Sequence, residues 1–145
     1  MNTEDAFYTF WGPQTNEDTH LTRSMEDYLE MIYRLQKRSG AIRVGDLSKF
    51  LHVRPSSVSK MMQRMGAVGL IQSEKYGEIL LTKKGQAVGR YLLYRHEVIH
   101  DFLKVLNQSE NELEQAEKIE HSLNRGTVEN LSKLTQKLKK VNSSS

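Results

Sequence analysis

The stretch that most constrains this chain runs from Val44 to Leu81. A short segment, Val44 to Leu51, carries Leu47, Phe50 and Leu51 as its apolar residues, and after a turn at His52-Val53 a second periodic segment opens at Pro55. Proline suits the first position of a helix, where its missing N–H is not needed. The residues that follow place Val58, Met61, Met62 and Met65 on one helical face and Ser56, Ser59, Lys60 and Gln63 on the other, with Ser57 and Arg64 on the flank. Two β-prone runs come next, Leu70-Ile71 to about Lys75 and Glu78 to Leu81; the Tyr76-Gly77 junction between them predicts a hairpin. Helix, short turn, helix and hairpin make a winged helix-turn-helix. In such a unit the second helix of the motif enters the major groove of DNA and the hairpin touches backbone.

The remaining patterns are helical. Met25, Tyr28, Ile32 and Leu35 repeat at three-to-four spacing from Ser24, and the repeat stops at Ser39-Gly40. Thr82 can cap a long helix carrying Val88, Tyr91, Leu92, Val98, Ile99 and Phe102, which Asn107 to Ser109 breaks. Two more helices, roughly Glu110 to Leu123 and Thr127 to Val141, are separated by Asn124-Arg125-Gly126. The fold class is therefore mainly α with a small β-hairpin: a winged helix-turn-helix over residues 24–90, then a helical region over 91–141. Residues 1–23, with Phe7, Tyr8, Phe10 and Trp11 and a break at Gly12-Pro13, are expected to form a flexible arm, and 142–145 a disordered tail.

Composition excludes more than it identifies. The 145 residues hold 21 Lys+Arg against 18 Asp+Glu, a net charge of +3, which is too small an excess to name nucleic acid as a partner. The absence of cysteine excludes a disulfide framework and any thiolate metal site, and agrees with a cytoplasmic location. No apolar run is long enough to span a bilayer and no signal peptide is recognisable, so no membrane partner is expected. Charge placement carries the argument instead. Arg54, Ser56, Ser57, Ser59, Lys60, Gln63 and Arg64 can reach phosphates or base edges. Periodicity alone allows an ordinary solvated face equally well. The hairpin, with Lys75 and Tyr76, favours double-stranded DNA, and Arg54 is a poor helix cap, which suits it to a phosphate contact.

Hard metal-ligand side chains flank this unit in three groups: Asp27 and Glu30, then His96, then Glu117, Glu120 and His121. The first pair shares a helix face, and the last three are spaced i, i+3, i+4. Each group alone is explained as a solvated face or, for His96, as a core or surface histidine. An enzyme reading rests on Glu97-x-x-His100 and Glu17-x-x-His20, which match the Glu-x-x-His unit of di-iron bundles. The second lies in the arm, so no credible pair exists. There is also no Gly-rich phosphate loop and no His-Glu-x-x-His motif. No catalytic residue and no small organic substrate are expected.

Several segments, in order, resemble the manganese-responsive branch of the diphtheria-toxin-repressor (DtxR/MntR) family. Ser24-Met25-Glu26-Asp27-Tyr28-Leu29-Glu30-x-Ile32-Tyr33 is similar to its opening helix, and Arg54-Pro55-Ser56-Ser57-Val58-Ser59-Lys60-Met61 to its recognition helix. Glu74-Lys75-Tyr76 and Leu81-Thr82-x-Lys84-Gly85 resemble its wing and the following helix; Tyr94-Arg95-His96-Glu97 and Glu117-x-Ile119-Glu120-His121 resemble its metal-binding stretches. The resemblance implies a binuclear Mn(II) site in each subunit, with ligands Asp27, Glu30, His96, Glu117, Glu120 and His121, and Glu30 and Glu120 as bridges. It also implies a homodimer held by the C-terminal helices that represses manganese-uptake genes from a double-stranded operator.

Iron-responsive relatives are expected to carry methionine and cysteine where this chain has Asp27 and Glu117. Hard oxygen in place of soft sulfur favours Mn(II), with Fe(II) the second candidate. The chain departs from the family in its aromatic arm, in Lys118 between ligand positions, and in His100, which offers an alternative ligand one turn after His96. The stretch beyond the C-terminal helices is too short for the SH3-like domain of the iron-type relatives, as expected of the shorter manganese type. The competing readings are a winged-helix regulator answering to Fe(II) or to a non-metal effector and, more remotely, a helical di-metal enzyme.

Overall fold

The computed structural model describes residues 21–73 and 77–144. The aromatic arm up to residue 20 and the Lys75 and Tyr76 of the hairpin tip lie outside the described residues. The chain divides into two compact units, one over Arg23–Leu92 and one built on Leu93–Ser145.

The first unit contains α1 (Arg23–Ser39), β1 (Ile42–Arg43), α2 (Val44–Leu51), α3 (Pro55–Ala67), β2 (Ile71–Ser73), β3 (Glu78–Leu81) and the opening turns of α4 (Lys83–Asn107). The buried stripe of α1 is Met25, Leu29, Ile32 and Leu35, so Leu29 takes the central place and Tyr28 is only half-buried. Leu47 from α2 and Val58, Met62 and Met65 from α3 join this core. Met61, expected with them, is half-buried, and Phe50 is 55% exposed.

Local hydrogen bonds fix the turn between α2 and α3. His52 takes the left-handed conformation at φ 55 as the C-cap of α2. The Val53 N–H donates to the Ser48 carbonyl at 3.1 Å, and the buried Ser48 hydroxyl donates back to the Val53 carbonyl. At the other end of α2, the Arg43 N–H donates to the Asp46 carboxylate at 3.0 Å, the helix-to-strand half of a capping box.

The expected hairpin is part of a three-stranded antiparallel sheet in the order β1-β3-β2. Ile42 pairs with Ile79, and Ile71 with Leu81. The extra strand, β1, has two residues, too few to show an alternating pattern in a sequence. Beyond the sheet, Thr82 caps α4 as expected: its hydroxyl accepts the Gly85 N–H at 3.0 Å and donates to the Gly69 carbonyl at 2.6 Å. The packing here is tight enough to dictate sequence. A Cβ on Gly85 would lie 2.0 Å from the Leu70 carbonyl oxygen.

The second unit contains the rest of α4, then α5 (Leu113–Ile119), a 3₁₀ turn (Glu120–Ser122) and α6 (Arg125–Ser144). Ile99 and Leu103 of α4 and Ala116 of α5 form its core, with Phe102, Ile119, Leu123 and Leu131 packed around them. Gln108, at φ 51, turns the chain out of α4. Helix α5 starts at Leu113 rather than Glu110: the Asn111 side chain accepts the Leu113 N–H at 3.0 Å, a local turn that precedes the helix, and Glu112 is the N-cap. Helix α6 starts before Thr127. The Asn124 carboxamide accepts the Thr127 N–H at 2.9 Å, so Asn124 is a cap and Arg125-Gly126 belong to the first turn.

The same helix continues through Ser144 instead of giving way to a disordered tail at Asn142. No glycine or proline interrupts it there, and the Ser143 hydroxyl donates to the Lys140 carbonyl. Two side-chain bridges tie α4 to α6: the Tyr94 hydroxyl donates to Glu129 at 2.8 Å, and Lys139 meets Asp101 at 2.8 Å. Among the described residues, no helix is long and apolar enough to cross a membrane.

Two glycine substitutions should act with opposite sign. Gly85→Ala forces a methyl group into the Leu70 carbonyl and is expected to lower the unfolding free energy by about 2 kcal/mol, an overpacking loss. Gly45→Ala, where a Cβ meets nothing within 4 Å, is expected to raise it by about 0.5–1 kcal/mol through helix propensity. Urea denaturation of the two variants checks both.

Candidate metal centre and nucleic-acid interface

In the first unit α3 presents Ser56, Ser57, Ser59, Lys60, Gln63 and Arg64, all exposed, opposite the buried Val58, Met62 and Met65. Arg54 precedes Pro55 at the N-cap. Its extended backbone (ψ 144) lets its carbonyl accept the Ser57 and Val58 N–H groups at 3.0 and 3.2 Å, while its exposed side chain makes no capping bond. A guanidinium at a helix N-terminus faces the positive end of the helix dipole, so an external anion would relieve it. The face offers hydroxyls, an amide and cations, the donor set that meets phosphate oxygens and base edges.

On α1 of the same unit Asp27 is exposed and Glu30 is half-buried one turn later. Arg34 donates to the Glu30 carboxylate at 3.1 Å, an i,i+4 pair along the helix. Their neighbour Glu26, not among the ligands expected from the sequence, is only 3% exposed. Its position three residues before Leu29, on the edge of the apolar stripe, was the available signal.

The second unit gathers its polar groups around Glu120. This carboxylate is 2% exposed, and one of its oxygens (Oε2) lies 2.7 Å from Nδ1 of the buried His96. The other, Oε1, is 3.6 Å from His121 Nε2. Arg95, also buried, places Nη2 3.4 Å from His121 Nδ1. A guanidinium can only donate, so in this contact His121 Nδ1 is the acceptor, which leaves Nε2 on the side of Glu120. A buried carboxylate is costly unless surrounded by donors, and here two imidazoles and a guanidinium lie in its neighbourhood. Carboxylate oxygen and imidazole nitrogen are also the donor types that hold a borderline or hard divalent cation, so these residues fit a metal.

The other expected positions of this unit divide. Glu117 is exposed on α5, apart from the buried cluster. The i, i+3, i+4 spacing presumes a continuous α-helix, whereas α5 ends at Ile119 and Glu120 and His121 lie on a 3₁₀ turn. Lys118 turns outward and pairs with Glu114 at 3.1 Å. His100 does not add a ligand to the cluster: its Nε2 accepts the backbone N–H of Glu112 at 3.0 Å. Desolvation, with Lys104 and His96 nearby, holds its pKa below the usual histidine value, in keeping with a neutral accepting ring.

Comparison with known proteins places both units. The description "iron dependent repressor, N-terminal DNA binding domain" matches residues 20–79, and "iron dependent repressor, metal binding and dimerisation domain" matches residues 82–142. The HTH-type transcriptional regulator MntR of Bacillus pumilus (strain SAFR-032) is 40% identical over 116 residues, covering 79% of this chain and 81% of that protein. The MntR of Bacillus subtilis (strain 168) is also 40% identical over 116 residues, with 79% and 82% covered. Among solved structures, the manganese regulator SloR superposes with a TM-score of 0.67 at 32% identity, over 77% of this chain and 53% of that one. ScaR with bound Zn²⁺ gives 0.66 at 30%, again over 77% and 53%. The chain thus spans about half the length of these two crystallised regulators, and most of the length of the Bacillus proteins. With a DNA-binding half and a metal-binding, dimerising half both matched, the chain belongs to the iron-dependent repressor (DtxR/MntR) family of transcriptional regulators.

Proposed function

We propose that the protein is a Mn(II)-activated, homodimeric repressor of manganese-uptake genes that acts in the cytoplasm. The observation that carries this reading is the buried Glu120 carboxylate against His96, with His121 beside it, in the half that matches a metal-binding domain. The ligands assigned are Asp27, Glu30, His96, Glu117, Glu120 and His121, holding two ions per subunit, with Glu30 and Glu120 as bridges. All six offer oxygen or nitrogen. Mn(II) binds weakest of the first-row divalent ions at a given site, so a set rich in carboxylate favours it by hardness and coordination number rather than by raw affinity. MntR relatives and manganese regulators among the similar structures support the same ion.

Bound metal would supply positive charge that compensates clustered carboxylates. Asp27 and Glu30 belong to the unit of α1–α3, and the other four to the unit of α5 and α6. An ion that takes donors from both sets restricts the motion of one unit relative to the other, which couples metal binding to DNA binding. In a dimer the two α3 helices would read half-sites about one turn of DNA apart. Arg54, Ser56, Ser57, Ser59, Lys60, Gln63 and Arg64 are assigned to that contact, with Lys75 and Tyr76 at the wing. Fe(II) is the second effector to test, because the family description is that of iron-dependent repressors.

Titration of a palindromic operator with and without Mn(II) tests the reading. Affinity is expected to rise by about 5- to 150-fold with Mn(II), the usual range of allosteric coupling. An affinity unchanged by either Mn(II) or Fe(II) removes the switch. Glu30→Ala and His96→Gln should each abolish the metal response while circular dichroism stays that of the wild type. Glutamine is chosen at His96 because it keeps a polar partner for the buried Glu120 carboxylate.

The recognition face is tested by salt. If Lys60 neutralises a phosphate, Lys60→Ala weakens binding to all sequences alike and reduces the slope of log K against log salt by about 1. If it reads a base edge, the loss is confined to the operator and amounts to about 1–3 kcal/mol.

A further inference from the structure

We infer that His100 is a positioning residue of the metal-binding half: its imidazole fixes where α5 begins, and thereby where Glu120 and His121 lie. Helix α5 has seven residues, too short to hold itself in place, so its orientation comes from what it is tied to. One tie is apolar, Ala116 and Ile119 packed with Ile99 and Leu103. That contact holds the middle and the C-terminal end of the helix and leaves its N-terminus to be fixed by other means. The second tie is at the N-terminus, where the N–H of the N-cap residue Glu112 donates to His100 Nε2 at 3.0 Å.

The Glu112 side chain is held as well. Its carboxylate accepts from the Ser109 hydroxyl at 2.8 Å and from the Asn107 amide at 3.1 Å. Backbone and side chain of the cap are therefore both anchored to α4 or to the turn that leaves it, and His100 supplies the only one of these bonds described that comes from the middle of α4. His100 lies one turn from His96 on the same helix, with ring centroids 6.1 Å apart. The element that carries His96 thus also sets the start of the segment that carries Glu120 and His121.

This assignment excludes the alternative raised by the sequence. A histidine that accepts a backbone N–H at Nε2 carries its ring proton on Nδ1 and has no free lone pair for a cation. The inference rests on the reading of His96, Glu120 and His121 as ligands, and its test separates the two. Outer partners that orient metal ligands typically affect affinity by about 10- to 100-fold.

The experiment compares the full-length wild type with His100→Leu and His100→Gln. Glutamine places a side-chain carbonyl oxygen at a reach similar to Nε2 and can accept the same N–H; leucine fills the space and cannot. In the metal-free proteins the Glu112 amide should exchange about five- to tenfold faster in His100→Leu and at the wild-type rate in His100→Gln. Mn(II) affinity by isothermal titration should fall at least about tenfold in the leucine variant and return to within about twofold of wild type in the glutamine variant. Wild-type exchange at Glu112 in His100→Leu overturns the inference. So does an equal loss of Mn(II) affinity in both variants with the Glu112 amide still protected in His100→Gln, since that is the mark of a direct ligand. If the wild type binds no Mn(II), the ligand reading fails, and with it the inferred role in metal binding, whatever the amide of Glu112 does.

Discussion

The interaction on which the metal-binding half depends is the 2.7 Å contact between His96 and Glu120. A carboxylate at 2% exposure is among the costliest groups to bury, and its cost is met only while donors surround it. His96 comes from the middle of α4 and Glu120 from a 3₁₀ turn 24 residues later, so the pair holds together two segments that local propensity alone would leave adjustable. The apolar core of this unit is small, with Ile99, Leu103 and Ala116 at its centre. A polar pair at this depth therefore selects one arrangement among several that would bury the apolar residues about equally well.

The DNA-reading unit relies on a different device. Its turn between α2 and α3 is closed by backbone and hydroxyl bonds between Ser48 and Val53, and a left-handed His52 supplies the change of direction. The start of α3 then needs no side-chain cap, because Pro55 occupies the first helical position and the Arg54 carbonyl takes up the first amides. Arg54 is left with its guanidinium in solvent. The unit thus separates the work of folding, done by the buried methionine face and the backbone, from the work of recognition, done by exposed groups that fold nothing.

Much of this was legible in the sequence, because the informative patterns were long. The limits of α2 at Val44 and Leu51, the start of α3 at Pro55 and the cap at Thr82 agree with the structure, since turn and cap residues act locally. What escaped had no local signature. Strand β1 is two residues long and exists only because β3 is there to pair with it. The buried state of Arg95 depends on tertiary surroundings that periodicity does not encode. The 3₁₀ geometry that the chain takes at Glu120 is another such feature, since the i, i+3, i+4 spacing from Glu117 presumes an α-helix throughout. His100 could be seen only as a possible ligand, because the backbone N–H it accepts belongs to a residue twelve positions away.

The close approach of the Leu70 carbonyl to Gly85 bears on how this molecule opens. Thr82 joins the same two places, bonding to the Gly69 carbonyl and to the Gly85 amide. The entry to β2 and the first turn of α4 are therefore a single cooperative unit, or foldon, in which neither member frays alone. A wing anchored in this way keeps the placement of its strands for as long as the base of α4 stays wound. Its breathing is then governed by the longest helix of the chain, not by the stability of a small sheet.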